Sequence, residues 1–148
     1  MGIDIHVKIL HRTEDGNYEY LSVYDKAGND LGTRAPYCAR HSVLFEVLRH
    51  DLPARERGLF PHFPEEARED YMEDDWGFTW FDWCELSAYA ENPKYFYPDD
   101  DWDEEGNLIE KRVDVLSPWV EEMRFVLGLY NIWWPNPGDV IVQIWFDN

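Results

Sequence analysis

Basic side chains are scarce in this chain. It carries 13 Lys and Arg against 31 Asp and Glu, which leaves a formal charge of −18 over 148 residues. Such a charge repels nucleic-acid phosphates and anionic membrane headgroups alike. We therefore expect neither direct nucleic-acid binding nor membrane binding. The acidity has two remaining interpretations: a well-solvated surface, or a surface that imitates nucleic acid or docks on a basic protein partner.

Cysteine is equally rare. Cys38 and Cys84 are the only two, and no Cys-x-x-Cys pair or Cys/His cluster accompanies them. Two cysteines without such a pattern indicate neither a disulfide scaffold nor a structural zinc site. We expect reduced thiols in a cytoplasmic protein.

Long apolar runs and catalytic signatures are also missing. No stretch approaches 18 apolar residues, and no basic segment followed by an apolar run opens the chain, so we expect neither a transmembrane helix nor a signal peptide. The chain lacks a G-x-S-x-G motif, a P-loop and a G-x-G-x-x-G motif. Their absence disfavours the common hydrolase, kinase and dinucleotide-binding classes.

Aromatic residues, in contrast, are abundant. They make up 17% of the chain, with eight Trp, and hydrophobic residues reach 45%. This content favours a folded chain over a disordered one. At this length roughly two thirds of the unfolded surface can be buried, which predicts one globular domain over 1–148.

Two segments alternate apolar and polar residues as β-strands do. The first is 2–10 and the second is 139–147, and we expect them to pair in one sheet. Their apolar faces comprise Ile3, Ile5, Val7 and Ile9 in the first strand and Val140, Val142, Ile144 and Phe146 in the second.

Helical spacing predicts helices over 40–51, 82–91 and 118–130, the last with Ser117 as its N-cap. The segment 55–71 contains Pro61 and Pro64, which indicates a surface excursion. The acidic stretch 92–107 is typical of an exposed loop or hairpin tip. Together these elements predict an α+β fold: a small, mainly antiparallel sheet that includes both terminal strands, with about three helices packed on it.

Short motifs spread over the chain resemble a family of small uncharacterised phage and prophage proteins. They are the opening Met-Gly-x-Asp-Ile-His, Arg40 with the following Leu44-Phe45, Arg57-Gly58-Leu59, the helix Trp80–Leu86 and the closing Phe146-Asp147-Asn148. The chain departs from that pattern at Phe78-Thr79, where relatives often carry His-Ser, and at Phe60, where they carry Pro. The resemblance implies a phage-type origin and no established activity.

Asp4 and His6 lie two residues apart on the first strand, so both side chains point to one face. A carboxylate and an imidazole on one face are two ligands of a divalent metal site, and Asp147, His41 or Glu85 could supply the third. That set would make the protein a metal-dependent, hydrolase-like enzyme. The alternative is that Asp4 and His6 only form hydrogen bonds that fix the edge of the strand.

The preferred hypothesis is an accessory protein that acts by binding a host or phage protein. Trp102 in the acidic stretch and Trp133-Trp134 beside a Pro-rich turn are the expected exposed anchors of such an interface. Arg40 and Arg57 are expected to pair with carboxylates structurally, or to bind an anion.

Overall fold

The structure, a computed structural model, describes residues 3–21, 42–65 and 74–147. In chain order the elements are β1 (Asp4–Arg12), β2 (Tyr18–Tyr20), α1 (Ser42–Glu46, continued by a π-helical turn Val47–Asp51), β3 (Trp76–Asp82), α2 (Trp83–Ala90), a 3₁₀ turn (Pro93–Tyr95), β4 (Tyr97–Pro98), β5 (Asp101–Trp102), β6 (Leu108–Ile109), β7 (Arg112–Val113), α3 (Leu116–Leu129) and β8 (Val140–Asp147).

Four strands form the central sheet in the order β2-β1-β8-β3, with every neighbouring pair antiparallel. β1 and β8 pair along their length, from Asp4 opposite Asp147 to His11 opposite Val140. The predicted pairing of the two terminal strands and the α+β class are therefore confirmed. β8 lies inside the sheet, and seven of its eight residues are buried.

The two faces of the sheet have different covers. The apolar residues predicted for one face of β1 and β8 pack against the three helices in the main core, and we call this the helix face. Large buried members of that core include Phe81, Leu86, Trp119 and Phe146. On the opposite face, the loop face, Leu10 and Ile141 pack against Phe60 and Phe63 in a second cluster.

The prediction that 55–71 is a surface excursion is wrong at Phe60 and Phe63, and its residues 66–71 lie outside the described residues. Phe60 and Phe63 are buried, and the backbone N–H of Gly58 donates to the carbonyl of Phe78 at 2.8 Å. Because β3 is an edge strand, this bond lets the segment cross the sheet edge and cover the loop face. Two prolines do not prevent this packing, since the segment uses no regular ladder of its own.

A buried amide fixes that segment to the central strand. The Oε1 atom of Gln143 accepts a hydrogen bond from the backbone N–H of Phe60 at 2.7 Å. Its Nε2 atom donates to the carbonyls of Thr79 at 2.9 Å and Gly58 at 3.2 Å. Gln143 is fully buried, so these partners satisfy groups that water cannot reach.

Gly77 interrupts β3 at a shift of register between Trp76 and Thr79. Its φ is +69°, and a Cβ atom there would lie 2.5 Å from the ring of Phe146. Only glycine fits both the backbone conformation and the approach of the ring.

The third helix begins earlier than predicted, at Leu116 rather than Pro118. The carboxylate of Asp114 accepts a hydrogen bond from the backbone N–H of Ser117 at 3.0 Å. The Ser117 hydroxyl, predicted to cap the helix, instead donates to the carbonyl of Ala90 at 3.1 Å. Pro118 then lies within the first turn, where a missing N–H costs no helical hydrogen bond. Within the described ranges, no helix has the length and apolar character needed to cross a bilayer.

We expect Gln143→Leu to lower the free energy of unfolding by about 1–3 kcal/mol, because the buried N–H of Phe60 loses its acceptor. Urea denaturation followed by fluorescence measures this. Leu10→Met is the matched control on the same face, since it changes shape without removing a polar partner, and should cost less than about 1.5 kcal/mol. Equal stability of Gln143→Leu and the wild type would show that the amide does not fix the segment.

Candidate functional site

The register of β1 and β8 brings His6 and Asp147 together. The imidazole Nε2 atom lies 2.8 Å from Oδ2 of Asp147, a hydrogen-bonded pair in which both side chains are about one third exposed. Asp4 and Asp147 are directly opposite in the register. The register therefore brings the side chains of His6 and Asp147 together at one corner of the loop face and places Asp4 opposite Asp147 in the strand pair.

Of the other predicted third ligands, Glu85 does not join this corner. Glu85 lies on α2, where its carboxylate is bound by Arg57, and His41 lies outside the described residues. Among residues 3–21, 42–65 and 74–147, no group of three or more His, Cys, Asp or Glu side chains is arranged to hold a metal ion. In the described part of the chain, the corner offers a hydrogen-bonded His–Asp pair.

Three rings stack across the sheet beside this pair. The ring of His6 lies parallel to Trp145 with centroids 5.4 Å apart, and Phe78 stacks on the same Trp145 with centroids 5.6 Å apart. Each ring comes from a different strand, so the stack links β1, β8 and β3. The His6 ring is thus held by a flat contact as well as by the carboxylate of Asp147. Alternation placed His6 and Trp145 on the same side of the sheet, but only the register made them neighbours.

A double-mutant cycle with His6→Ala and Asp147→Ala should give a coupling energy of about 0.5–1 kcal/mol, because the pair is partly exposed. Thermal or urea unfolding of the four proteins measures it. The matched control pairs His6→Ala with Asp15→Ala, a carboxylate in the turn beyond the far end of β1, for which the two effects should add. A cycle with Asp147 that is also additive would contradict the pairing.

Arg57 forms a two-pronged ion pair with Glu85. Its Nη1 and Nη2 atoms each lie 2.6 Å from a carboxylate oxygen of Glu85, and its guanidinium lies over the ring of Trp80 at 4.7 Å. The hydrogen bonds to Glu85 raise the pKa of Arg57. This geometry is structural pairing and leaves Arg57 occupied. Arg40, its counterpart in the prediction, lies outside the described residues.

Cys84 is a poor candidate for a nucleophile. Burial and the neighbouring carboxylate of Asp82 raise the pKa of its thiol, which disfavours the reactive thiolate. The sulfur also lies 3.4 Å from the carbonyl of Pro135, to which the thiol donates. Cys38 lies outside the described residues.

The acidic stretch folds into a two-stranded projection, residues 97–113, which we call the arm. β4 pairs with β7 at its base and β5 with β6 at its tip. At the tip Trp102 lies directly opposite Leu108, and the two side chains are 64% and 47% exposed. Because cross-strand partners share a face, they form one exposed apolar pair.

The turn at the tip of the arm is fixed by Asp103. Its carboxylate accepts hydrogen bonds from the backbone N–H groups of Glu105 and Asn107, at 2.9 and 2.8 Å. The bond from Asn107 is the main reason that the pKa of Asp103 is lowered. With Gly106 at a φ of +82°, the turn holds β5 and β6 in register and presents Trp102.

Carboxylates surround Trp102. Six of the seven residues in 99–105 are Asp or Glu, and Trp102 is the seventh. Lys111 forms an ion pair with Asp101 at 3.7 Å, and the guanidinium of Arg112 donates to the carbonyl of Phe96. The two cations of the arm are therefore engaged within it, while most of its carboxylates are not matched by a base.

Basic side chains are engaged in internal contacts throughout the described chain, including those of the arm. Every basic side chain there has an internal contact: five are in ion pairs with carboxylates, two bind backbone carbonyls and two lie over Tyr rings. In that order they are Arg12, Arg49, Arg57, Lys111, Arg124, Arg55, Arg112, Lys8 and Lys94. With a net charge of −18, the field outside the protein is negative.

A second exposed apolar surface follows the third helix. Trp133 and Trp134 are 60% and 90% exposed, as the sequence predicted for the Pro-rich turn. The Trp133 ring lies against Gly128, where a Cβ atom would be 2.9 Å away. Phe125, also on α3, is 65% exposed. Sequence reasoning missed Phe125, because helical spacing alone does not show which flank of a stripe faces solvent.

No protein-family model, curated protein or solved structure matches the chain.

Proposed function

We propose that the chain is a cytoplasmic, phage-associated accessory protein that binds a host or phage protein, and that the arm is its docking surface. The observation that carries this proposal is an exposed Trp102–Leu108 pair set among six carboxylates within seven residues. The phage association rests on the resemblance of the sequence motifs.

Charge supports a basic partner. With a net charge of −18 and the described cations engaged internally, the surface attracts cationic proteins over distances of about one Debye length. Such attraction raises the rate of encounter and suppresses acidic partners. It weakens with salt, which gives the interaction a measurable signature.

Trp102 supplies the local contact. An exposed indole offers a large apolar area that loses little side-chain entropy on binding, and its face attracts guanidinium and ammonium groups. The carboxylates on either side of it strengthen the same preference. The arm therefore favours partners that present Arg or Lys beside apolar side chains.

A metal-dependent enzyme centred on Asp4 and His6 remains the second proposal. It draws on the His6–Asp147 pair, and needs a further ligand to complete a coordination sphere. Elemental analysis and a thermal-shift titration with Zn²⁺ and Mn²⁺ test it on the wild type and on His6→Ala. Stoichiometric metal that disappears in the variant would support the enzyme. Equal behaviour of the two proteins would remove His6 as a ligand.

We expect a synthetic peptide of about twelve residues with alternating Arg and Ala to bind the full chain, with an affinity that falls as NaCl is raised. Trp102→Ala should weaken binding about five-fold or more, because about 1 kcal/mol of cation–aromatic contact is lost. Fluorescence anisotropy of the labelled peptide measures both effects.

Phe125→Ala is the matched control, since Phe125 and Trp102 are 65% and 64% exposed and lie on different elements. It should change the peptide affinity by less than about two-fold, which is smaller than the roughly five-fold loss expected when a contact of about 1 kcal/mol is removed. The same peptide with Glu in place of Arg should not bind. Equal losses in Trp102→Ala and Phe125→Ala would contradict the arm as the docking surface.

A further inference from the structure

A pocket of about 310 Å³ opens at the base of the arm. The residues that line it are Val43, Tyr97, Asp99, Val113, Asp114, Val115 and Pro118. They come from α1, from the two strands of the arm and from the start of α3. The pocket therefore lies where the arm joins the main core.

The strand register explains its apolar wall. Tyr97 and Val113 are directly opposite each other in the β4–β7 pair, so their side chains share a face. Asp99 lies just beyond the end of β4 and Val115 is the residue before α3, and both line the same pocket. The wall of the pocket thus combines the apolar side chains of Tyr97, Val113 and Val115 with the carboxylate of Asp99, and Val43 and Pro118 complete it.

Burial is graded across this wall. Val115 is buried, whereas Asp99 is exposed. The backbone N–H of Asp99 donates to the carbonyl of Lys111 at 2.9 Å, which fixes the position of the residue in the ribbon. An apolar group can therefore enter toward Val115 while a charged end remains beside the Asp99 carboxylate.

Both charged lining residues are acids. The second, Asp114, accepts a hydrogen bond from the backbone N–H of Ser117 and so stays close to the start of α3. No basic side chain of the described chain lines the pocket. The cations nearest in sequence, Lys111 and Arg112, are directed to Asp101 and to the carbonyl of Phe96.

We infer that this pocket binds one Arg or Lys side chain of the partner, with the aliphatic stem against Val43, Val113 and Val115 and the cationic head at Asp99. Arg and Lys bury their stems on apolar surface and keep their heads in water, which matches the graded wall. A volume of about 310 Å³ is at the lower end of ligand pockets and suits one long side chain. This inference rests on the proposed docking function and names the anchor that such a partner inserts.

The test uses a short peptide with one Arg flanked by Ala, and the same peptide with citrulline, which is uncharged and nearly isosteric. Methyl NMR of the full chain should show saturable shifts at Val43, Val113 and Val115 with the Arg peptide and much smaller shifts with the citrulline peptide. Shifts of equal size with both peptides, or no saturable shift, would overturn the pocket.

Two variants with the same change in charge separate the pocket from the general field of the protein. Asp99→Asn should weaken Arg-peptide binding about five-fold, as expected for the loss of about 1 kcal/mol from one exposed ion pair. Glu104→Gln, at the exposed tip of the arm, should change it less than about two-fold. Equal effects would show that only net charge matters and would overturn the inference.

A free ligand is the remaining alternative. If n-butylguanidinium binds as tightly as the Arg peptide, the pocket is a site for small guanidinium cations and not a docking anchor. If Trp102→Ala still weakens binding of the twelve-residue peptide while the pocket methyls do not shift, the pocket inference is overturned and the arm remains the proposed docking surface. If Trp102→Ala and Phe125→Ala weaken peptide binding equally while the pocket methyls shift with the Arg peptide alone, the docking role of the arm tip is overturned. The pocket inference is then retained without it.

Discussion

The fold depends on burying both faces of its last strand. β8 lies between β1 and β3, and each of its residues from Val140 to Phe146 is buried. A strand in that position needs a cover on each side, because every buried apolar side chain contributes about 1.5–3 kcal/mol only when water is excluded from it. The helices cover one face, and the segment that carries Phe60 and Phe63 covers part of the other. Gln143 is the one polar residue among these buried positions. Its side-chain hydrogen bonds to Phe60 and Thr79 hold the segment that carries Phe60 against the sheet.

This arrangement also determines what is left for function. The described cations are engaged in internal contacts, among them the two-pronged Arg57–Glu85 pair beside Trp80. The acids greatly outnumber them, so the outside of the molecule is negative. The arm concentrates that charge around Trp102, and its short strands add no buried core of their own beyond the base. An element with so little packing is suited to contact another molecule, since its exposed apolar pair is not needed to hold the fold together.

Part of this could be predicted because it depends on local periodicity. Alternation in the first and last strands assigned their buried faces, and pairing the two strands then placed His6 near Asp147. The acidic stretch 92–107 predicted an exposed loop or hairpin tip, and a Trp among acids was expected to be exposed. The cover formed by Phe60 and Phe63 could not be predicted in the same way. Two prolines and no periodicity are typical of a surface loop, and the partner that buries the segment, Gln143, lies more than eighty residues away in the chain.

The sequence by itself determined the negative charge, the α+β class and the two faces of each terminal strand, because composition and side-chain alternation act at short range. Tertiary structure alone decided which groups meet across long separations. It brought His6, Trp145 and Phe78 into one stack of rings. It also paired Arg57 with Glu85, and it placed Val43 beside the base of the arm, where it lines a pocket with apolar and acidic walls. These contacts follow from strand order, register and the path of one segment over a sheet edge. A local sequence pattern does not determine strand order, register or the path of a loop, since many registers and paths satisfy the same alternation.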